Sequence, residues 1–257
     1  MMDQVDVDEL RDKVKGMYRA VAEAPHGTFH FEMGRGLAER LGYQPRDLDN
    51  VPAEAIESFA GVGYHLGLAA IIPGERIADL GSGSGMDAFL AARQAGNTGE
   101  TVGVDMTDEQ LAKARRLADR DHFSGLRFEK GYIEETPLAD ASVDVVMSNG
   151  VINLCVDKAA VFREIARILR PGGRMAISDI VTERHLTEAI VCDVNLWASC
   201  IGGAMQEHDY AQAIKDAGLD VNVIQENPQY LFISESAQGA TATFGVKSVS
   251  ILATKPQ

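Results

Sequence analysis

The sequence predicts an α/β fold built on a doubly wound, mostly parallel sheet, and three observations carry that prediction. From residue 75 onward, short apolar runs alternate with helical patterns, the order that right-handed crossovers and a parallel sheet require. The first run, in the stretch that starts at Glu75, ends in the acid Asp79 before the loop Gly81-Ser82-Gly83-Ser84-Gly85, and a small-residue helical segment, Ala88 to Ala95, follows. The second run, Thr101-Val102-Gly103-Val104-Asp105, ends in an acid.

The elements follow in chain order. Residues 5 to 24 carry Val7, Leu10, Val14, Met17, Tyr18 and Val21 at helical spacing, interleaved with charge, which predicts an amphipathic helix. Pro25 and Gly27 end it. A short aromatic segment, Thr28 to Met33, leads into a helical run over Gly36 to Leu41, and Ala53 to Phe59 predicts a further turn or two. Residues 1–70 are therefore expected to form a helical N-terminal lid or cap, with Gly61-Val62-Gly63-Tyr64-His65 as its hinge, and residues 71–257 the main domain. After the second strand, Thr107 to Gln110 reads as a capped helix start with acids in its first turn, and that helix runs to about Asp121. Leu126 to Lys130 and Val143 to Ser148 are the third and fourth strands, Lys158 to Leu169 a helix, and Arg174 to Val181 the fifth strand after a Pro171-Gly172-Gly173 turn. Helices around 187–205 and 207–217, then strands over Val221 to Gln225 and Ser248 to Thr254, complete the pattern.

Composition excludes several functions. Against 24 Lys+Arg stand 38 Asp+Glu, a formal net charge of -14, which repels phosphate backbones and anionic lipid. The first sixteen residues are charged throughout and no uncharged run is long enough to span a bilayer, so a cytoplasmic location is expected. The three cysteines, Cys155, Cys192 and Cys200, suit a reducing compartment better than a disulfide framework.

In a doubly wound sheet, ligands bind at the carboxyl ends of the strands. Here those ends are the glycine loop, Asp105, Gly131-Tyr132-Ile133-Glu134 and Ser148-Asn149-Gly150. The glycines admit close approach of a ligand to the backbone, and the helix that follows offers free N–H groups. The loop lacks the dinucleotide spacing, in which the third glycine falls five positions after the first, and the Lys-Ser/Thr pair of a phosphate loop. An acid at the end of the second strand is placed to accept from two ribose hydroxyls. The alternatives are a turn that only packs helix on strand and, for Asp105, a helix N-cap or a solvated loop acid.

Asp79-Leu80-Gly81-Ser82-Gly83-Ser84-Gly85, Val102-Gly103-Val104-Asp105-Met106-Thr107 and Pro171-Gly172-Gly173-Arg174 resemble the motifs of class I methyltransferases that use S-adenosylmethionine. The resemblance implies a Rossmann-like sheet of seven strands, ordered 3-2-1-4-5-7-6 with strand seven antiparallel. It implies that Gly81, Gly83 and Gly85 lie against the methionine moiety, that Asp105 holds the ribose, that Met106 packs on the adenine, and that Ile133 and Glu134 border its edge. Asp79, Ser82 and Tyr132 complete the expected cofactor site, with Asn149 at its methionine end.

From residue 75 to about 205 the chain is similar to arsenite methyltransferases, notably at Ser148 to Leu154, Ile177 to Val181 and Cys200 to Ala204. Those enzymes gather trivalent arsenic on three thiolates. Of the three corresponding positions here, one is Val62, one is Gly150, and only Cys200 remains a cysteine. Neither valine nor glycine supplies a soft ligand. The expected activity is methyl transfer to a small-molecule acceptor other than arsenite, with Asn149, Asp179 and Cys200 as the catalytic candidates. Two alternatives stand beside it: a metalloid methyltransferase using Cys200 with Cys155 or Cys192, and a sensor that binds S-adenosylmethionine without turnover. His30, Glu32, His65, Asn195, Trp197 and His208 are further candidates on the acceptor side, each with a plain packing or surface role as its alternative. No metal and no nucleic acid or membrane partner is expected, and the chain is expected to be a monomer or homodimer.

Overall fold

A computed structural model describes residues 6–191, 197 and 201–257. The chain begins with α1 (Val7–Glu23), capped by Asp6, whose carboxylate accepts from the backbone of Asp8 and Glu9 at 3.0 Å. Four short helices follow, α2 (Arg35–Leu41), α3 (Pro45–Leu48), α4 (Ala53–Glu57) and α5 (Leu66–Ala69). The alternating region then runs β1 (Arg76–Leu80), α6 (Met86–Ala95), β2 (Glu100–Asp105), α7 (Asp108–Arg120), β3 (Leu126–Lys130), β4 (Val143–Asn149), α8 (Lys158–Ile168) and β5 (Leu169–Thr182). After α9 (Glu188–Val191) come β6 (Met205–Gln206), α10 (Glu207–Asp216), β7 (Asp220–Glu226), α11 (Glu235–Phe244) and β8 (Lys247–Thr254).

The sheet is ordered β3-β2-β1-β4-β5-β8-β7, with the two-residue β6 pairing beside β5. β8 runs antiparallel to both neighbours and the other pairs are parallel. With β6 set aside this is the expected order, so the sheet has eight strands rather than seven among the described residues. The faces alternate as strands dictate. Ile77, Val145, Met147 and Ala176 pack under α2 to α7, while Ala78, Leu80, Val146 and Ile177 pack against α8 and α10. A third apolar cluster, with Leu10, Val14, Val62, Leu154, Ile180 and Trp197, ties α1 to the sheet.

Three details differ from expectation. The Pro171-Gly172-Gly173 turn lies inside β5: Val143 pairs with Leu169 and Val145 with Arg174, so the intervening residues bulge out. The helix expected over 187–205 stops being helical by its end, since 201–204 form a turn before β6. A side chain on Gly202 or Gly203 would overlap Trp197, so these glycines serve close packing rather than helix. The part of that prediction over 192–196 and 198–200 lies outside the described residues. α11 was not expected at all.

Candidate functional site

The glycine loop is shaped by its neighbours. Gly81 and Gly85 have φ of 76° and 95°, a region closed to most side chains, and a Cβ on Gly81 would overlap Val151. The amides of Gly81 and Ser82 donate to the Val104 carbonyl at 2.8 and 3.1 Å, fastening the loop to the end of β2. Asp105 receives the Gly83 amide on one oxygen at 2.9 Å and the Thr107 amide on the other at 2.8 Å. It thereby also ties down the start of α7, where the Thr107 side chain makes no capping bond. Ser84 donates to the side-chain oxygen of Gln110, whose amide in turn donates to the Tyr18 carbonyl of α1 at 2.9 Å.

Around this loop is an open cavity, with ≈ 1140 Å³ of empty space when the solvent at its mouth is included, lined among others by Asp79, Gly81, Ser82, Gly83, Gly85, Asp105, Met106, Tyr132, Ile133, Glu134 and Asn149. Every residue expected at the cofactor site therefore borders one cavity. α1 contributes Leu10, Arg11, Val14 and Tyr18 to its lining. Arg11 lies 4.4 Å over the Tyr132 ring and 3.3 Å from the Glu134 carboxylate, and Lys15 donates to the Tyr132 hydroxyl at 2.8 Å. Asp79 is 2% exposed and one of its oxygens has no partner. Burial, then the charges of Asp87 and Asp105, push its carboxyl well above the usual range. A buried carboxylate with an unpartnered oxygen, on a residue that lines a cavity, suits a cationic ligand, whose charge would offset the desolvation.

The catalytic candidates are distributed differently. Asn149 lines the cavity. Asp179 is fully buried, accepting from the Asn153 amide at 2.9 Å and the Tyr210 hydroxyl at 2.7 Å on one oxygen. It does not reach the cavity, which corrects its expected place on the acceptor side. Cys200, like Cys192 and Asn195, lies outside the described residues. Cys155 borders the cavity, and burial pushes its thiol well above the usual range. His30 packs edge-on to Phe31 at 4.7 Å, Glu32 is paired with Arg40, and His208 is exposed. Trp197 is buried, with its ring nitrogen donating to the Val191 carbonyl at 2.5 Å. His65 is buried with neither ring nitrogen partnered. None of these five lines the cavity. Missed in the sequence were Tyr18, Gln110, Asp87 and Tyr43. For Gln110 the available signal was its place in the first turn of the helix after Asp105; for Asp87, its place two residues beyond Gly85.

A sheet in this order, a glycine loop after β1, an acid after β2 and a cavity over the carboxyl ends define a class I methyltransferase, a class that takes its methyl group from S-adenosylmethionine. Residues 71–218 match the Methyltransferase domain family, and the chain belongs to it. The arsenite methyltransferase of Halobacterium salinarum is 35% identical over 245 residues, which cover 90% of this chain and 62% of that protein. The arsenite methyltransferase of Aquipseudomonas alcaligenes is 38% identical over 198 residues, 74% of this chain and 56% of the relative. The chain thus spans between half and two thirds of the length of these relatives. Among solved structures, an arsenic(III) S-adenosylmethionine methyltransferase from Chlamydomonas reinhardtii matches with a TM-score of 0.68 and 32% identity, over 82% of this chain and 72% of that one. A geranyl diphosphate C-methyltransferase from Streptomyces coelicolor matches with a TM-score of 0.70 at 17% identity, over 96% and 98% of the two chains, a likeness of fold alone.

Proposed function

We propose that this chain transfers a methyl group from S-adenosylmethionine to a small-molecule acceptor other than arsenite. The observation that carries the reading is the contact between positions 62 and 150, where the resembling enzymes carry thiols. A Cβ on Gly150 would lie 3.1 Å from Val62 Cγ1, so the two positions are neighbours, filled here by an isopropyl group and a hydrogen. Val62 is 1% exposed in an apolar cluster. The Cys155 thiol, raised by burial, is protonated at neutral pH and a poor ligand for a soft metalloid.

Bound S-adenosylmethionine would supply an electrophilic methyl group on a sulfonium. In this reading Asp79 balances its positive charge, Asp105 accepts from its ribose hydroxyls, and Met106 and Ile133 pack on its adenine. Leu10 and Val14 of α1 exclude water from the cavity, so that alignment rather than acid–base chemistry provides the acceleration. The acids near the acceptor are committed elsewhere: Asp87 accepts from Tyr43 and Asn149, and Glu134 from Arg11. An acceptor that has no proton to lose, or has already lost it, suits such a lining. A second reading, metalloid methylation through Cys200 with Cys155 or Cys192, is favoured by the 35% identity over 90% of the chain to an arsenite methyltransferase.

The deciding experiment is S-adenosylhomocysteine release with trivalent arsenic and a reducing thiol, against the thiol alone, with mass spectrometry of products. Methylarsenicals above the control would sink the first reading in favour of the second. Their absence, from protein that binds S-adenosylmethionine in the same assay, is the expected result, and release with thiol alone would point to sulfur as the acceptor atom.

A further inference from the structure

Asn149 does more than border the cavity. Its side-chain oxygen accepts from the amides of Val62 at 2.8 Å and Gly63 at 3.3 Å. Its amide nitrogen shares its protons among the Gly63 carbonyl, the Tyr43 hydroxyl oxygen and Asp87 Oδ2, each at 3.1 Å. Tyr43 completes the ring by donating to Asp87 Oδ1 at 2.7 Å. Tyr43 is 2% and Asp87 6% exposed, so two of the three members of this network are largely shielded from water, and Asn149 is half-buried.

The three residues come from separate parts of the fold. Tyr43 belongs to the N-terminal region between α2 and α3, Asp87 to the first turn of α6 just beyond the glycine loop, and Asn149 to the end of β4. What they meet on is the backbone of Gly61-Val62-Gly63, the predicted hinge of the cap. That backbone is pressed tightly into place: a Cβ on Gly61 would overlap the Asn149 amide, and one on Gly63 would overlap Ser178. From the other side, Ser248 donates to the Val62 carbonyl at 2.6 Å. Gly61, Asp87 and Asn149 all line the cavity, so the network is also part of its wall.

We propose that Tyr43, Asp87 and Asn149 form a clamp of positioning residues that seats the Gly61-Val62-Gly63 crossing against the cavity and makes release of S-adenosylhomocysteine wait on opening of that crossing. This rests on reading the cavity as the S-adenosylmethionine site. Removing one member of a buried hydrogen-bonded set leaves the others unsatisfied, with a cost large enough to change an opening equilibrium about tenfold or more. Because the clamp spans cap and main domain, the change falls on the hinge and not on the sheet core.

The test compares Tyr43→Phe and Asp87→Asn with the unmodified protein. Tyr43→Phe keeps a ring that packs edge-on to Phe59 at 5.2 Å and Tyr64 at 4.8 Å, so folding is retained while the hydroxyl is lost. Tyr64→Phe, a hydroxyl deletion in the same aromatic cluster but outside the network, is the control. In ligand-free protein, amide exchange at Val62 and Gly63 should accelerate about tenfold or more in both clamp variants, with β1 and β4 core amides unchanged. S-adenosylhomocysteine dissociation, followed by stopped flow, should accelerate by a similar factor in both, with Tyr64→Phe at the unmodified rate. Unmodified dissociation together with unmodified exchange in Tyr43→Phe would overturn the clamp, as would acceleration spread equally through β1 and β4. If the unmodified protein bound no S-adenosylhomocysteine, the reading of the cavity would fail, and the exchange measurement would still decide whether the clamp holds the hinge.

Discussion

His65 shows how much a single side chain can weigh. Buried with both ring nitrogens unpartnered, it is held below the usual histidine range by burial, with only the charge of Asp87 opposing. The folded state therefore keeps the ring neutral, while the unfolded chain takes up a proton below about pH 6.5. Since the unfolded state then binds more protons, stability must fall as pH drops through that value. His65→Leu should raise stability by about 1–3 kcal/mol at neutral pH and flatten the acid limb, read from urea unfolding at pH 5 and 7.5. A loss of stability at both pH values would mean that the ring has a partner in solution. Asp179 titrates in the opposite sense. Burial lifts its carboxyl to about 6, so the folded state holds a proton that the unfolded chain has lost above about pH 4, and stability declines as pH rises from 4 to 6. Asp179→Leu would abolish that decline. It would also strand the Asn153 amide and the Tyr210 hydroxyl, at about 1–3 kcal/mol each, so a net loss at pH 7 in the same unfolding experiment is expected.

At the scale of elements, α1 is the part whose attachment matters to the site. Its ion pairs with the rest of the chain, such as Arg19 with Glu109 at 2.6 Å, are partly exposed and contribute little. Its buried face, with Leu10, Val14 and Val21, contributes about 1.5–3 kcal/mol per side chain. Leu10→Ala should cost about 2–5 kcal/mol and free α1 before the sheet opens, seen as faster amide exchange across residues 7–23 with β1 still protected; simultaneous loss of protection in both would contradict it. This helix was legible from helical spacing because its apolar stripe is unbroken, and the strands of the parallel sheet were legible as bounded apolar runs. α11 was not, since Gly239, Thr241 and Thr243 are weak helix formers and its start depends on a cap by Ser234. The residues expected at the cofactor site converge on one cavity because they sit at or just beyond strand ends, which sequence order locates. Asp179 misled for the same reason. Strand alternation turns Ser178 toward Ser250 and the Gly63 crossing, and Asp179 toward Tyr210 of α10. Period two tells neighbours apart, but which face opens on the cavity is decided by what packs on the sheet.

For the whole molecule the dominant long-range property is charge. The chain carries a net -14, and among the described residues the cavity lining includes Asp79, Asp87, Asp105 and Glu134 against the single cation Arg11, so acids outnumber bases where a ligand enters and a cation is drawn in. S-adenosylmethionine carries its sulfonium charge into that field and S-adenosylhomocysteine lacks it, although the two are nearly identical in shape. The acidic surface should therefore speed the approach of the donor more than that of the product. Screening shortens the reach of the field to about 10 Å at 0.1 M salt. Raising salt from about 0.02 to 0.3 M should therefore slow donor association several-fold while leaving product association nearly level. Stopped-flow association of each ligand over that range measures this directly. Equal salt slopes for the two ligands would mean that the acids act only locally. In that case replacing Glu134, which Arg11 already partners at 3.3 Å, would change donor affinity no more than product affinity. A steeper donor slope would mean that the excess of acids helps to bring the charged donor in ahead of the spent one, a role for the composition that no single residue of the site reveals.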